Sequence, residues 1–247
     1  MGIYLQTKTW KEYLTEFLML FFAVTLGFFA ENLREMQIDK VKEIGYLKNI
    51  HNDLTLTFYD IDSVIRINTS RLNLRDSLFI KFNNNSLTNE EIHYYIRILG
   101  LRGTFESTHS GFEQVKSVGG LRMIHNEKIV MGIQKYEKAL ESIEKLEETR
   151  EKTIEAARFK SAAILNAMTV YQMSINQNLR ALNSLNYKKP AKSGPIMQRD
   201  EYELNELLNL ISISINTNYY LNSRLLKLKE IGKQLDDAIL KEYPEVL

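Results

Sequence analysis

Apolar residues recur along most of this chain at steps of three and four, but in one place they stop alternating with polar ones. From Phe17 to Ala30 the sequence reads FLMLFFAVTLGFFA, fourteen residues without a charge, with Glu12 and Glu16 before it and Glu31 after it. A run this apolar near an N-terminus predicts a membrane helix. Crossing takes about 20 mostly apolar residues for roughly 30 Å, and fourteen cover only about 21 Å. Extending the helix to Tyr13–Asn32 completes the span and puts Glu16 and Glu31 in its ends. The strongly apolar side chains contribute roughly 3–5 kcal/mol to insertion, against about 3 kcal/mol for an acidic residue at the centre and less near an end. Trp10 and Tyr13 suit an interfacial aromatic belt. A cleaved signal peptide fits less well. Lys8 and Lys11 are offset by Glu12, and cleavage after Ala30 would put Phe28 where a small residue is wanted. A buried core helix is the other alternative for a run of this length.

Within the span, Glu12, Glu16, Leu20, Ala23, Gly27 and Glu31 fall on one helix face. Ala23 and Gly27 form a small-xxx-small pair that permits close helix approach in lipid. An ionisable residue within a span usually faces a bundle interior or water. The expectation is a homo-oligomer whose spans meet along this face. The plainer alternative is that Glu16 reaches the headgroups and marks the membrane edge.

Two long periodic tracts follow. Ile44, Leu47, His51, Leu54, Phe58, Ile61, Ile65, Asn68, Leu72, Arg75 and Phe79 alternate steps of three and four, the pattern of an a/d seam. No proline separates this tract from the span, so one helix is expected to run from the bilayer into a stalk. His51, Asn68 and Arg75, the polar seam members, are expected to set register rather than bind ligands. The second seam runs Ile129, Ile133, Tyr136, Leu140, Ile143, Glu147, Arg150, Ile154, Ala157, Ser161, Ile164, Met168, Tyr171, Ile175. Glu147 and Arg150 put charges on it, predicting a less buried or partner-facing section. Between the tracts lie the asparagine-rich loop Lys81–Asn89, a capping box at Thr88 and Glu91 opening a short helix that Gly100 closes, and a glycine-rich region broken at Gly119-Gly120. Asn126 is placed to cap the second long helix. Lys188–Pro195 is a loop. Asp200 caps a third helix carrying Leu204, Leu208, Ile211 and Ile215 to about Lys241; its stretch with Asn216, Asn218 and Asn222 is expected to pair poorly or face a polar groove.

The organisation expected is an N-terminal segment (1–12), a transmembrane helix (13–32), a stalk and first bundle helix (33–80), a loop with short helices (81–126), a second long helix (127–187), a loop (188–199) and a third long helix (200–247). The fold class is all-α, one transmembrane helix continuing into a long-helix antiparallel bundle or coiled-coil domain. Only three prolines occur, all late in the chain, and 26% of residues are charged, which suits long helices.

Composition narrows the chemistry. With 32 basic and 31 acidic residues, no global attraction to nucleic acid is expected. The absence of cysteine excludes disulfides, thiolate catalysis and Cys-based zinc sites. The four histidines, His51, His93, His109 and His125, form no HExxH, and no GxxxxGK[ST], GxGxxG or GxSxG occurs. Ser107, His109 and Ser110 are close in sequence but lack an evident acidic orienter, and read as turn and cap residues. Arg102, Glu106, Glu113 and Lys116 read as surface charges. No catalytic residue, cofactor or metal is expected, and no enzyme.

The segment EFLMLFFAVTLGFFAENLRE followed by YLKNIHNDL resembles a family of small single-span helical membrane proteins of unknown function common in Bacteroidota. The run FESTHSGFEQVKSVGGLRMIHNEKIVMGIQKYEKAL resembles that family's second hallmark, here Phe105, Phe112, Gly119, Gly120, Leu121, Ile124, Asn126, Ile133 and Tyr136. The resemblance implies one span plus a helical domain of about 200 residues; it supplies no activity and stops near Ser161. The N-terminus is less basic than is common in that family. Topology signals conflict. Lys8 and Lys11 lie on one side, Arg34, Lys40, Lys42 and Lys48 on the other, which by the positive-inside rule puts the domain in the cytoplasm. The family's arrangement and the lack of cysteine favour an inner-membrane protein with a periplasmic domain. The function expected is an oligomeric structural or scaffolding protein, with lipid, further copies and a protein on the helical domain as partners. The alternative is a homo-oligomeric ion channel or membrane-perturbing effector with a Glu16-lined path.

Overall fold

A computed structural model describes residues 9–99, 104–117, 119–175, 189–197 and 200–247. Lys8, Gly100, Arg102, the tail of the second tract from 176 to 187, and Lys188 lie outside the described residues, as does the side chain of Ile175. The described chain is helical, with no strand among the described residues. Six α-helices follow in order: α1 (Trp10–Asn83), α2 (Asn89–Leu99), α3 (Ser110–Ser117), α4 (Glu127–Ile164), α5 (Ala167–Ile175) and α6 (Glu201–Glu242).

The 74 residues of α1 form one unbroken helix, about 110 Å long. No proline or capping signal interrupts it, so the backbone ladder continues through the change from apolar to seam-like sequence. From Trp10 to Ile38 every residue is exposed, and burial begins in earnest at Glu43. The N-terminal apolar part contains a stretch long and apolar enough to cross a membrane, and none of it is buried.

From Glu43 onward, α1 packs with α6 and α4. Partners on α1 and on α6 or its C-cap pair in descending order: Glu43 with Tyr243, His51 with Asp236, Asp62 with Lys229, Asn68 with Asn222, Arg75 with Asn216. The same holds for α4 and α6, where an added Cβ on Gly132 would meet Leu235, Arg150 reaches Asn218, and Lys160 pairs with Glu203 and Glu206. Thus α6 runs back along both other long helices. Two apolar cores result. The proximal one joins Leu47 to Val64 of α1, Ile129 to Ile143 of α4 and Leu221 to Ile239 of α6. The distal one joins Leu78, Ala157, Ile164, Leu207, Leu208, Ile211 and Ile215 with Ile92, Tyr95, Ile96 and Leu99 of α2.

The seam of α1 is centred one position away from the expected one. Leu47, Leu54, Ile61 and Asn68 are fully buried, but Ile44, His51, Phe58, Ile65 and Leu72 are only half-buried. The other buried row is Glu43, Ile50, Thr57, Val64, Arg71 and Leu78. Glu43, Thr57 and Arg71 are polar, which is why an apolar-periodicity reading slides off this row.

Three further expectations need correcting. The second long helix ends at Ile164 rather than running on, because Leu165 turns extended and Asn166 caps α5 by accepting from the Thr169 amide at 3.1 Å. Met168 and Tyr171 are therefore exposed and off the seam. The section around Glu147 and Arg150 is not loose, since Arg150 is fully buried. The asparagine stretch of α6 does not pair poorly: Asn216, Asn218 and Asn222 each accept a hydrogen bond from another long helix.

Candidate functional site

Glu12, Glu16, Leu20, Ala23, Gly27 and Glu31 are all exposed. Glu12 has a local role: its carboxylate accepts the Thr9 amide at 2.8 Å, completing the capping box that opens α1. Glu31 forms a bidentate pair with Arg34, at 2.6 and 3.0 Å. The hydroxyls of Thr15 and Thr25 donate to carbonyls one turn back, at 2.8 and 2.7 Å, so they need no water. Phe17 stacks on Phe21, which meets Phe22 edge-on. The exposed phenylalanines, leucines and Met19 make a continuous apolar surface all round the helix. Water-exposed proteins rarely carry such a patch.

The residues of the second sequence hallmark come together. Phe112 stacks on Tyr136 at 4.9 Å, and burial pushes the Tyr136 hydroxyl up to about 12. Phe105, Gly120 and Ile124 are buried; Leu121 packs against the same core. Gly119 sits at φ +65, the left-handed conformation that glycine takes without strain. The turn Gly120–Arg122 follows, and Asn126 caps α4 by accepting from the amides of Lys128 and Ile129.

A polar stripe on α1 holds this segment in place. Asp53 accepts the Gly111 amide at 2.6 Å, Thr57 donates to the Thr108 carbonyl at 3.2 Å, and Asp60 accepts the Glu106 amide at 3.0 Å. Burial raises the Asp60 carboxyl above its ordinary value, partly offset by the Glu106 amide. Nearer the apolar segment, the buried Glu43 accepts the His125 amide at 2.7 Å and the Tyr243 hydroxyl at 2.6 Å. Burial and this carboxylate push the Tyr243 hydroxyl up.

Between the two apolar cores lies a buried polar layer. Arg150 donates twice to Glu147, at 2.8 Å each, and once to Asn218 at 2.6 Å. Asn68 donates to Asn222 at 2.9 Å, and Arg71 is 3% exposed at the same level. Glu147 also accepts the Phe105 amide at 3.4 Å, tying the layer to the hallmark segment. Such groups fix which residues of the long helices lie opposite, because any slip leaves a buried charge without its partner. Within the proximal core, His51 of α1 meets Asp236 of α6 at 2.6 Å. The layer's signal in the sequence was Glu147, Arg150 and the three asparagines; only the pairing was hidden.

The histidines have structural partners. Buried His93 accepts the Asn166 amide on Nε2 at 3.0 Å. Its Nδ1 lies 2.7 Å from the Asn89 carbonyl, which fixes the proton on Nδ1. It thereby ties α2 to the break between α4 and α5. The Asn166–Thr169 cap at that break was readable in the sequence and was missed. His109 Nδ1 lies 3.0 Å from Ser107 Oγ, whereas Ser110 donates to Asp53, so no carboxylate–histidine–serine chain forms. No group of three or more potential metal ligands comes together among the described residues. No protein-family model, curated protein or solved structure matches the chain.

Proposed function

We propose that this chain is a single-span inner-membrane protein whose span gathers copies and whose three long helices, packed as an antiparallel bundle, form a scaffold held off the bilayer. The continuity of α1 carries the reading. The same helix is exposed and apolar over the proposed span, charged over Leu33–Lys42, and buried along one stripe from Glu43. A signal sequence meets the same length and apolarity criterion, but a cleaved one has no reason to share an unbroken helix with a folded domain. The ten residues between span and bundle set the domain about 15 Å from the membrane.

Self-association is supported by Ala23 and Gly27. An added Cβ on Gly27 would meet nothing within 4 Å in the single chain, which leaves that face open to the close approach of another helix. The alternative cation path rests on Glu12, Glu16 and Glu31 together, and two of these are taken up by the helix cap and by Arg34. Native mass spectrometry of full-length protein from detergent tests the reading: Gly27→Leu and Glu16→Gln should lower the oligomer number, and an unchanged number in both variants overturns self-association through this face. The family resemblance and the lack of cysteine favour a periplasmic domain. A reporter active only in the periplasm, fused after Leu247, reads this out; silence there with activity of a cytoplasmic reporter reverses the orientation.

A further inference from the structure

At the far end of the domain a cavity of about 490 Å³ opens between α2, α4, α5 and α6. Its deep walls are Ile96, Leu165 and Leu207, all nearly or fully buried. Arg97 and Arg158 line its more exposed part, and no acidic residue lines it among the described residues. Arg158 touches Glu151, outside the lining, at 3.4 Å. The room comes from small side chains, Ala162 among them. This volume is in the range of small-molecule sites, which are mostly apolar with a few placed polar groups. An apolar slot with two arginines on its described lining complements a molecule with an alkyl tail and a negative head.

We propose that this cavity binds a single-chain anionic amphiphile of the fatty-acid class, its tail against Ile96, Leu165 and Leu207 and its carboxylate toward Arg97 and Arg158. A two-chain phospholipid would overfill it. On the membrane reading above, Asn32 to Leu78 of α1 separates the bilayer from the level of the cavity by about 70 Å, so the ligand arrives from the aqueous phase. The site itself does not depend on that reading, and either can fail alone.

The test uses full-length protein in lipid nanodiscs, a diazirine-bearing tetradecanoate as probe, and mapping of the labelled peptides. Label is expected on peptides containing Ile96, Leu165 or Leu207. Ala162→Trp should fill the slot and remove that label. Arg97→Gln with Arg158→Gln should weaken half-saturation about tenfold, the effect of losing charge-assisted hydrogen bonds, and the methyl ester of the probe should label as weakly. Label confined to residues 13–32 overturns the proposal, as does cavity label unchanged by Ala162→Trp. Equal labelling by acid and ester overturns the anionic head.

Discussion

The two ends of α1 are the same helix in two different surroundings. Up to Ile38 no side chain is buried, although most are apolar; from Glu43 one stripe is buried and the rest is mostly polar. The apolar end has no neighbour among the described residues and contains few charges, whereas the domain end buries Glu43, Asp53, Asn68 and Arg71. Burial and apolarity therefore part company along one element. In the domain, Glu43, Asp53 and Asn68 are buried because specific partners from elsewhere in the chain meet them. In the first end, apolar residues are exposed because none of the described residues covers them; on the proposed membrane reading, lipid does. Substitutions in the domain end should be costly for unfolding of the domain; equivalent ones in the apolar end should not.

The largest difference is expected at the charges. Arg150→Ala strands Glu147 and Asn218 in the polar layer and should destabilise the domain by about 3–5 kcal/mol, read by urea unfolding of full-length protein in detergent followed by circular dichroism. Arg34→Ala, at an exposed pair, should leave the same midpoint unchanged. Replacing Arg150 and Glu147 together by leucine should cost less than Arg150→Ala alone, since no buried charge is then orphaned. A double variant as unstable as the single one would mean that Arg71 or Asn218 also depends on this pair. Next come the apolar positions: Leu54→Ala, fully buried, should cost about 2–5 kcal/mol. Leu20→Ala, 68% exposed, should leave domain unfolding untouched. A loss at Leu20 equal to that at Leu54 would show that the two ends unfold as one unit.

Much of this comparison was legible in the sequence. The charge-free run from Phe17 to Ala30, the long helices, the Thr88–Glu91 capping box, the Gly119-Gly120 break and the Asn126 and Asp200 caps are local signals, and local geometry decides them. What could not be read was the centre of the α1 seam. Glu43, Thr57 and Arg71 occupy it, and what buries them sits far along the chain: Tyr243 and His125 for Glu43, Thr108 for Thr57. Periodicity counts apolar residues and passes over polar ones whose partners are 51 to 200 residues away. The same limit made Glu147 and Arg150 look like a weak section of α4. The break at Asn166 is different, because its Asn-x-x-Thr cap is a local signal lying inside a tract whose apolar spacing runs straight through it.

Glycines give a smaller contrast. A Cβ on Gly111 would lie 2.8 Å from the Asn49 backbone, where α3 meets α1, so Gly111→Ala should cost about 1–3 kcal/mol through forced separation. Gly45, with nothing within 4 Å, should gain up to about 1 kcal/mol as alanine from helix propensity. Thermal melts of the two variants should move in opposite directions. A common direction would mean that α3 gives way at little cost.

The smallest effect is set by pH at the far end of the domain. Glu91 accepts from Lys81 at 2.6 Å and from Lys189 at 3.1 Å, and these lysines hold its carboxyl down at about 2. The folded value lies below the unfolded one of about 4.3, so the carboxylate's contribution is present above that value and is lost as pH falls from there towards 2. Because Lys81 and Lys189 are both partly in water, the contribution is at most about 1 kcal/mol. Glu91→Gln should therefore lower stability at pH 7 and match wild type near pH 2. Urea midpoints of the two proteins between pH 7 and pH 2 should converge as the pH drops. Curves that stay parallel would show that Glu91 acts by packing at the capping box and not through its charge.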